Sequence, residues 1–241
     1  MPDTRTHRGP HPEDPRLFSP QAHAALGEAV ADLSWLLTRG YASASALKLV
    51  GDRCRLEARQ RTAVSRSACS DADRARRLAH QLGPEQLGGK PLRLDGYNVL
   101  TTVEAALSGG VILAARDGTY RDMASMHGSY RKVAETLPAL ELLGEVIAEL
   151  QVSQCRWYLD RPVSNSGRLK TIMDQLATRR GWPWQIELVP NPDALLVVGP
   201  EIVATADSAI LDHCHAWFNL AREAIDRRVP QANLLRLHAA R

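Results

Sequence analysis

A chain of 241 residues with a 44% hydrophobic fraction carries enough apolar material for one large cored domain or two smaller ones. Its formal net charge of +3 excludes a whole-molecule field that would draw it to a polyanion, so any attraction must come from a local patch. No apolar run reaches membrane-spanning length; Cys54, Cys69, Cys155 and Cys214 form no C-x-x-C pair, and the polar, proline-rich start is no signal peptide. A cytoplasmic protein with reduced thiols and no membrane partner is expected.

In chain order, residues 1–18 read as a disordered leader. Ser19-Pro20 is an N-cap followed by a first-turn proline, and Leu26, Val30, Leu33 and Leu37 recur at helical spacing until Gly40. A second helix is expected from Ser45, with Leu47, Val50, Cys54 and Ala58 on one face. Lys48, Arg53, Arg55, Arg59 and Arg61 cover much of the rest. Ser70-Asp71-Ala72-Asp73 opens a third, shorter helix that ends before Gly83-Pro84. Residues 19–85 therefore form a basic α-helical module, and Gly88-Gly89-Lys90-Pro91 reads as a linker.

From Leu92 the pattern becomes an alternation of strand and helix, the sign of a parallel sheet, and it continues to residue 229. Residues 91–94 lead into Asp95, a helix covers 99–107, and 111–115 form a short strand before the turn Arg116-Asp117-Gly118. A long helix lies within 129–150. Residues 155–159 lead into Asp160, and Ser166 caps a helix bearing Leu169, Ile172, Met173 and Leu176 that Gly181 ends. Residues 185–189 lead through a proline turn to Asp193, and 202–205 lead into Asp207. A last helix from Ser208 carries Ile210, Leu211, Cys214, Phe218 and Ala221, with 230–241 as an exposed tail. The expected class is α/β, a three-layer parallel-sheet domain preceded by a small α-helical module.

Four aspartates thus sit just past four apolar runs. Parallel neighbouring strands share their carboxyl edge, where open α/β sheets bind ligands. Carboxylates gathered there repel one another unless a cation shares them, so a divalent-metal site is the first expectation. Magnesium takes oxygen ligands and keeps several waters, and a metal-bound water can attack a phosphodiester. Asn98, one helical turn beyond Asp95, could orient a water or a carboxylate. Ser164 and Ser166 follow Asp160 at a helix N-terminus, which favours phosphate.

Each residue also has a plainer role. A strand-end aspartate can simply cap a helix. Arg121, Arg131, Arg161 and Lys170 are phosphate-binding candidates or solvated charges. His127 is a general-acid candidate or an ordinary turn histidine. Trp157 fits core packing, whereas Trp182 and Trp184, flanking Pro183, are open to base stacking. Arg55, Arg59 and Arg66 could track a phosphate backbone or be consumed by ion pairs. Cys214 lies between His213 and His215, but consecutive helical residues point apart and suit no zinc site.

These residues also carry a resemblance. Leu94-Asp95-Gly96-Tyr97-Asn98 resembles the first-strand motif of PIN-like nucleases of the NYN type. Val203-Ala204-Thr205-Ala206-Asp207-Ser208 resembles their last metal-site motif, a strand ending in a Thr-x-Asp turn. Tyr158-Leu159-Asp160 resembles the middle aspartate, and Pro192-Asp193 the acidic position before the final strand. The resemblance covers residues 90–227 in the right order. It implies Mg2+ or Mn2+ held by Asp95, Asp160 and Asp207, with Asp193 close by, and hydrolysis of phosphodiesters in RNA. Their further acidic helix is shortened here to 194–198, which leaves Glu104 or Asp212 to complete the site. The whole chain also resembles an uncharacterised bacterial and archaeal family joining a basic helical module to such a domain, on residues 51–66 and 115–132.

Two other readings compete. A phosphohydrolase of the haloacid-dehalogenase type needs a D-x-D pair, and Tyr97 stands at its second position. A non-catalytic nucleic-acid-binding module with a degenerate metal site is the other.

Overall fold

The central strand of the sheet is apolar on one face and charged on the other, and that division positions everything at its end. In the computed structural model, which describes residues 6–124 and 130–238, this strand is the second of nine. It follows helices α1 (Asp14–Leu17), α2 (Pro20–Thr38), α3 (Ser43–Arg53), α4 (Ala58–Ser67) and α5 (Asp71–His80), and strand β1 (Gln81–Leu82). Then come β2 (Pro91–Asp95), α6 (Gly96–Leu107), β3 (Ile112–Ala114), β4 (Tyr120–Asp122), α7 (Thr136–Glu149), β5 (Gln154–Asp160) and α8 (Ser166–Arg180). The chain continues through β6 (Trp184–Val189), α9 (Pro192–Leu196), β7 (Ile202–Ala204), α10 (Ser208–Leu211), β8 (Ala216–Phe218), α11 (Leu220–Arg228) and β9 (Leu234–Arg236).

The main sheet has six strands, all parallel, in the order β1-β8-β7-β2-β5-β6. The protein is therefore α/β, with helices flanking the sheet and a helical N-terminal region. Leu92 and Leu94 of β2 join Trp157, Leu159 and Ala204 in a core completed by α6, α7, α8 and α11. Alternation along a strand sends Arg93 and Asp95 to the opposite face. There Val203, Trp217, Tyr158, Leu196 and Ile210 form a smaller core under α9 and α10. Arg93 donates to the carbonyls of Leu196 and Val198, which fastens the end of α9 back over β2.

From β2 the chain proceeds to β5 and β6 on one side, then returns to β7 and β8 on the other. The order reverses between β2 and β7, with α6 packed on one face of the sheet and α10 on the other. A crevice at the carboxyl ends of the strands opens at such a switch point.

A second sheet, β4-β3-β9, pairs β3 antiparallel with β4 and parallel with β9. Its Leu113 and Leu235, with Val111 and Leu237, pack against Leu26, Val30, Leu33, Val50 and Val64 of the N-terminal helices. This corrects two expectations. Residues 230–238 form no exposed tail, because β9 completes that core. Residues 6–18 are no disordered leader either: Leu17 is buried, Asp14 pairs with Arg59, and Arg8 pairs with Glu104 inside the protein.

Two expected helices are divided. The second breaks at Cys54 and Arg55, where Arg55 takes a left-handed φ of 53°, and α4 restarts with a Glu57/Gln60 capping box. The last breaks into α10, β8 and α11, because Trp217 and Phe218 are buried on opposite faces of the sheet rather than along one helical stripe. The third helix begins as expected, its Asp73 amide donating to the Ser70 hydroxyl at 3.0 Å.

Candidate active site

Asp95 ends β2, Asp160 ends β5, Asp193 lies in the first turn of α9 beyond β6, and Asp207 follows β7 by three residues. Their strands are the adjacent run β7-β2-β5-β6, so all four stand on one edge. Helix α9 packs back against β2, β5 and α10, and this returns Asp193 from the outermost strand toward the switch point.

The charges register that approach. Asp95 is buried, and its carboxyl is pushed up to about 7, by burial first and then by Asp207 and Asp193, against a hydrogen bond from Thr205. Burial and the Asp193 charge raise Asp160 above the ordinary carboxylate range. Burial and the Asp207 charge do the same to Asp193. Like charges in a partly desolvated place raise one another in this way.

A small network fixes the crevice. Thr205 donates its hydroxyl to Asp95 Oδ2 at 2.8 Å and receives the Asp207 amide at 3.0 Å. Asn98 Oδ1 accepts the Ala206 amide at 2.8 Å, clamping α6 to the turn after β7. Asn98 is thus a clamp between α6 and this turn. Asp207 Oδ1 caps α10, accepting from Ala209 at 2.7 Å and Ile210 at 3.3 Å. The capping role and the acidic cluster coexist in one side chain. Among the described residues no three His, Cys, Asp or Glu side chains are arranged to hold a metal ion.

Beside this edge runs a groove of about 570 Å3 whose walls include Arg66, Asn98, Thr101, Thr102, Asp122 and Asp207. Asp122 escaped the sequence reading. It lies on a three-residue strand outside the main sheet, where no alternation is long enough to register. Its Oδ2 accepts from Thr101 and Thr102 at 3.2 Å each, and Arg66 Nη1 lies 3.7 Å from Oδ1. Arg66 also donates to the Asp122 and Ala124 carbonyls, which sets it at the rim of the groove.

Several expected residues lie elsewhere or are otherwise engaged. Glu104 does not complete the cluster: it is buried beneath Arg8 and accepts from Tyr130 at 2.5 Å and Thr136 at 2.6 Å. Asp212 is held by Arg77 at 2.7 Å and Arg76 at 3.0 Å. Arg121 is tied to the Ala206 carbonyl at 2.8 Å and to Asp117 at 2.8 Å, so it braces the turn carrying Asp207. Arg161 donates to the Leu188 carbonyl, and Lys170 to Asp174 and the Ile186 carbonyl. Arg131 offers its carbonyl to Arg8. The helix after Asp160 is entered through Asn165 at φ 69°; Ser166 is its first residue and donates to the Arg161 carbonyl, while Ser164 is exposed. Arg59 is spent on Asp14 at 2.5 Å, and Arg55 sits in the left-handed turn. His127 lies outside the described residues.

The tryptophans belong to packing. Trp157, Trp184 and Trp182 stack in series with centroids 4.9 Å apart, at the end of β6 away from the aspartates. The Trp182 ring occupies the space where a Cβ on Gly144 would stand, which is why α7 carries a glycine there. Tyr97, at the second position of a D-x-D pair, packs its ring on Tyr130, and its buried hydroxyl has no hydrogen-bond partner among the described residues.

Residues 84–223 match a family described as a domain of unknown function, DUF5616, and residues 25–80 match one described as a protein of unknown function, DUF434. An uncharacterised protein of Methanocaldococcus jannaschii is 30% identical over 206 residues, 84% of this chain and 97% of that one, so the likeness takes in both the helical region and the sheet. No solved structure matches the chain.

Proposed function

This chain belongs to the DUF5616 family, and we propose that it is a divalent-metal-dependent phosphodiesterase of PIN-like (NYN-type) character acting on RNA. The observation that carries the reading is the placement of Asp95, Asp160, Asp193 and Asp207 on one sheet edge at the switch point, where burial first, and then the Asp207 and Asp193 charges, push the Asp95 carboxyl up to about 7. A protein gains no stability from such crowding, whereas a site for a cation gains affinity from it. The donors fit Mg2+ or Mn2+ in kind, being anionic oxygens on fixed strand ends. They are not preassembled as a ligand set, and Asp193, the exposed member, has the most room to turn inward.

An ion held by these carboxylates would supply a nucleophilic water and charge neutralisation at the phosphoryl oxygens. The chain's own residues do the rest. Thr205 holds Asp95 Oδ2, leaving the other carboxylate oxygen to take a proton from the attacking water, while solvent protonates the leaving oxygen. Asn98 keeps the Asp207 turn fixed against α6, and Arg66 at the groove rim is placed to meet a phosphate.

A second reading, nucleic-acid binding with a degenerate metal site, is favoured by the lack of a preassembled triad among the described residues. Titration of Mn2+ into the protein, followed by RNA cleavage with and without chelator, separates the two. We expect metal binding, cleavage that chelator stops, and loss of both in D95N. Cleavage that persists in chelator would overturn the mechanism, and RNA binding without metal affinity would select the second reading. All four cysteines are free thiols, which agrees with work in a reducing cytoplasm; no helix among the described residues is long and apolar enough to cross a membrane.

A further inference from the structure

A groove of about 690 Å3 lies away from the aspartates, between α2 on one side and α5 with β9 on the other. Its two walls differ in chemistry. Helix α2 presents the small and apolar Gly27, Val30 and Ala31 between His23, Glu28, Ser34 and Thr38, with the indole of Trp35 54% exposed at the mouth. The facing wall presents Arg74, Arg116 and Arg236, and a second, smaller groove shares these three arginines and adds Arg222.

Pairing decides which of these charges remain. Among the acids at the walls, Glu28 is paired with Arg53, Asp117 with Arg77 and Arg121, and Asp71 with Arg116. Arg222 is paired with Asp226. Once these pairs are cancelled, Arg74 and Arg236 are left on the facing wall, and neither guanidinium has a hydrogen-bond or ion-pair partner among the described residues. Arg74 is half-buried with its Nε shielded from water, which is costly for a charged donor unless something accepts from it. Opposite, Ser34 lines the groove, is 3% exposed, and has a buried hydroxyl with no hydrogen-bond partner among the described residues. Arg74 Nε and Ser34 Oγ, on the two walls, are both buried and unpaired among the described residues, and the Arg74 and Arg236 guanidiniums give the groove the positive charge an anion would meet.

We propose that this groove binds a nucleoside phosphate: the phosphate between Arg74 and Arg236, the sugar near the Ser34 hydroxyl, and the base along the α2 wall toward Trp35. A bare phosphate would leave most of the volume and the whole apolar wall unused, whereas a flat heterocycle fills both. Arg39 already lies over the Trp35 ring at 3.5 Å, so the indole is held in place for stacking on its other side. The ligand is either a free mononucleotide or the phosphorylated end of an RNA chain, which present the same group.

The test is calorimetric titration of the full-length protein, in chelator so that the acidic edge plays no part, with inorganic phosphate, AMP, and a short RNA bearing a 5′-phosphate or a 5′-hydroxyl. AMP is expected to bind more tightly than phosphate. R74Q and R236Q are each expected to weaken AMP by about tenfold, the loss of one charge-assisted contact. Trp35→Ala should weaken AMP while leaving phosphate unchanged. Arg236 is exposed, so R236Q tests the site even if R74Q disturbs folding. RNA binding that requires the 5′-phosphate and exceeds AMP assigns a chain end, and equal affinities assign a free nucleotide. No AMP binding, or AMP affinity unchanged in R236Q, would overturn the proposal.

Discussion

A carboxyl group pushed up to about 7 by burial takes up protons on folding, and the sign of its effect on stability follows. Between about pH 4 and pH 7 the folded state binds the proton that the unfolded state has released, so stability falls as pH rises through that window and is level above it. Asp95→Asn keeps the Thr205 hydrogen bond and removes the charge. We expect it to melt higher than the parent protein at about pH 8, by an amount on the order of a few kcal/mol, with the gap closing toward about pH 4. Thermal melts across pH read this directly, and a pH-independent difference would mean that Asp95 titrates normally. Asp207 behaves differently, because it caps α10. Asparagine caps as well as aspartate, so D207N should leave the melting temperature nearly unchanged and abolish cleavage, while D207A should also cost about 1 kcal/mol. The strand-end aspartates were legible because each follows an apolar run. Asp122 and the Thr205 bridge were not, since the first lies on a strand of three residues and the second depends on two strands that meet only in the fold.

At the scale of elements, helix α9 shows how an edge strand contributes to a central site. Its five residues are too few to hold a position alone. Arg93, on the charged face of β2, donates to the Leu196 and Val198 carbonyls and draws the segment over the sheet. Arg93→Leu leaves both carbonyls without that donor. We expect a loss of roughly 1–3 kcal/mol and faster hydrogen exchange over residues 191–198 than in the parent, the helix having lost its tether. Exchange unchanged there would show that apolar packing through Leu196 suffices. The long strands β2, β5 and β6 could be read from sequence because apolar runs bounded by turns are strong signals. Strand β8 could not: Ala216, Trp217 and Phe218 lie within a stretch whose spacing also satisfies a helix, and only pairing with β7 decides the matter.

Across the whole molecule, the helical region and the sheet domain are joined by buried charge as well as by shared apolar packing. The arginines of the helical region are largely spent on ion pairs: Arg59 on Asp14 and Arg53 on Glu28 and Asp32 within that region, and the buried Arg77 on Asp117 and Asp212 beyond it. The basic stretch from Lys48 to Arg77 therefore reads in sequence as a nucleic-acid face and in the fold as a set of internal ties, because sequence shows charge without its partners. A buried tie, Arg8 to Glu104, pins the N-terminal segment onto α6, and there the last prediction applies. Glu104 is fully buried, and burial raises its carboxyl above the ordinary range despite Arg8, Thr136 and Tyr130. Removing Arg8 strands that carboxylate. Arg8→Met should cost about 3–5 kcal/mol near neutral pH. The loss should shrink on acidification, since a protonated Glu104 needs no counter-charge and still accepts from Tyr130 and Thr136. Adding Glu104→Gln to Arg8→Met should recover most of the stability, because the amide keeps an acceptor without the charge. Denaturant melts of the single and double variants at about pH 5 and pH 8 decide it. A double variant no more stable than Arg8→Met at about pH 8 would show that the segment is held by its packing and not by its charge.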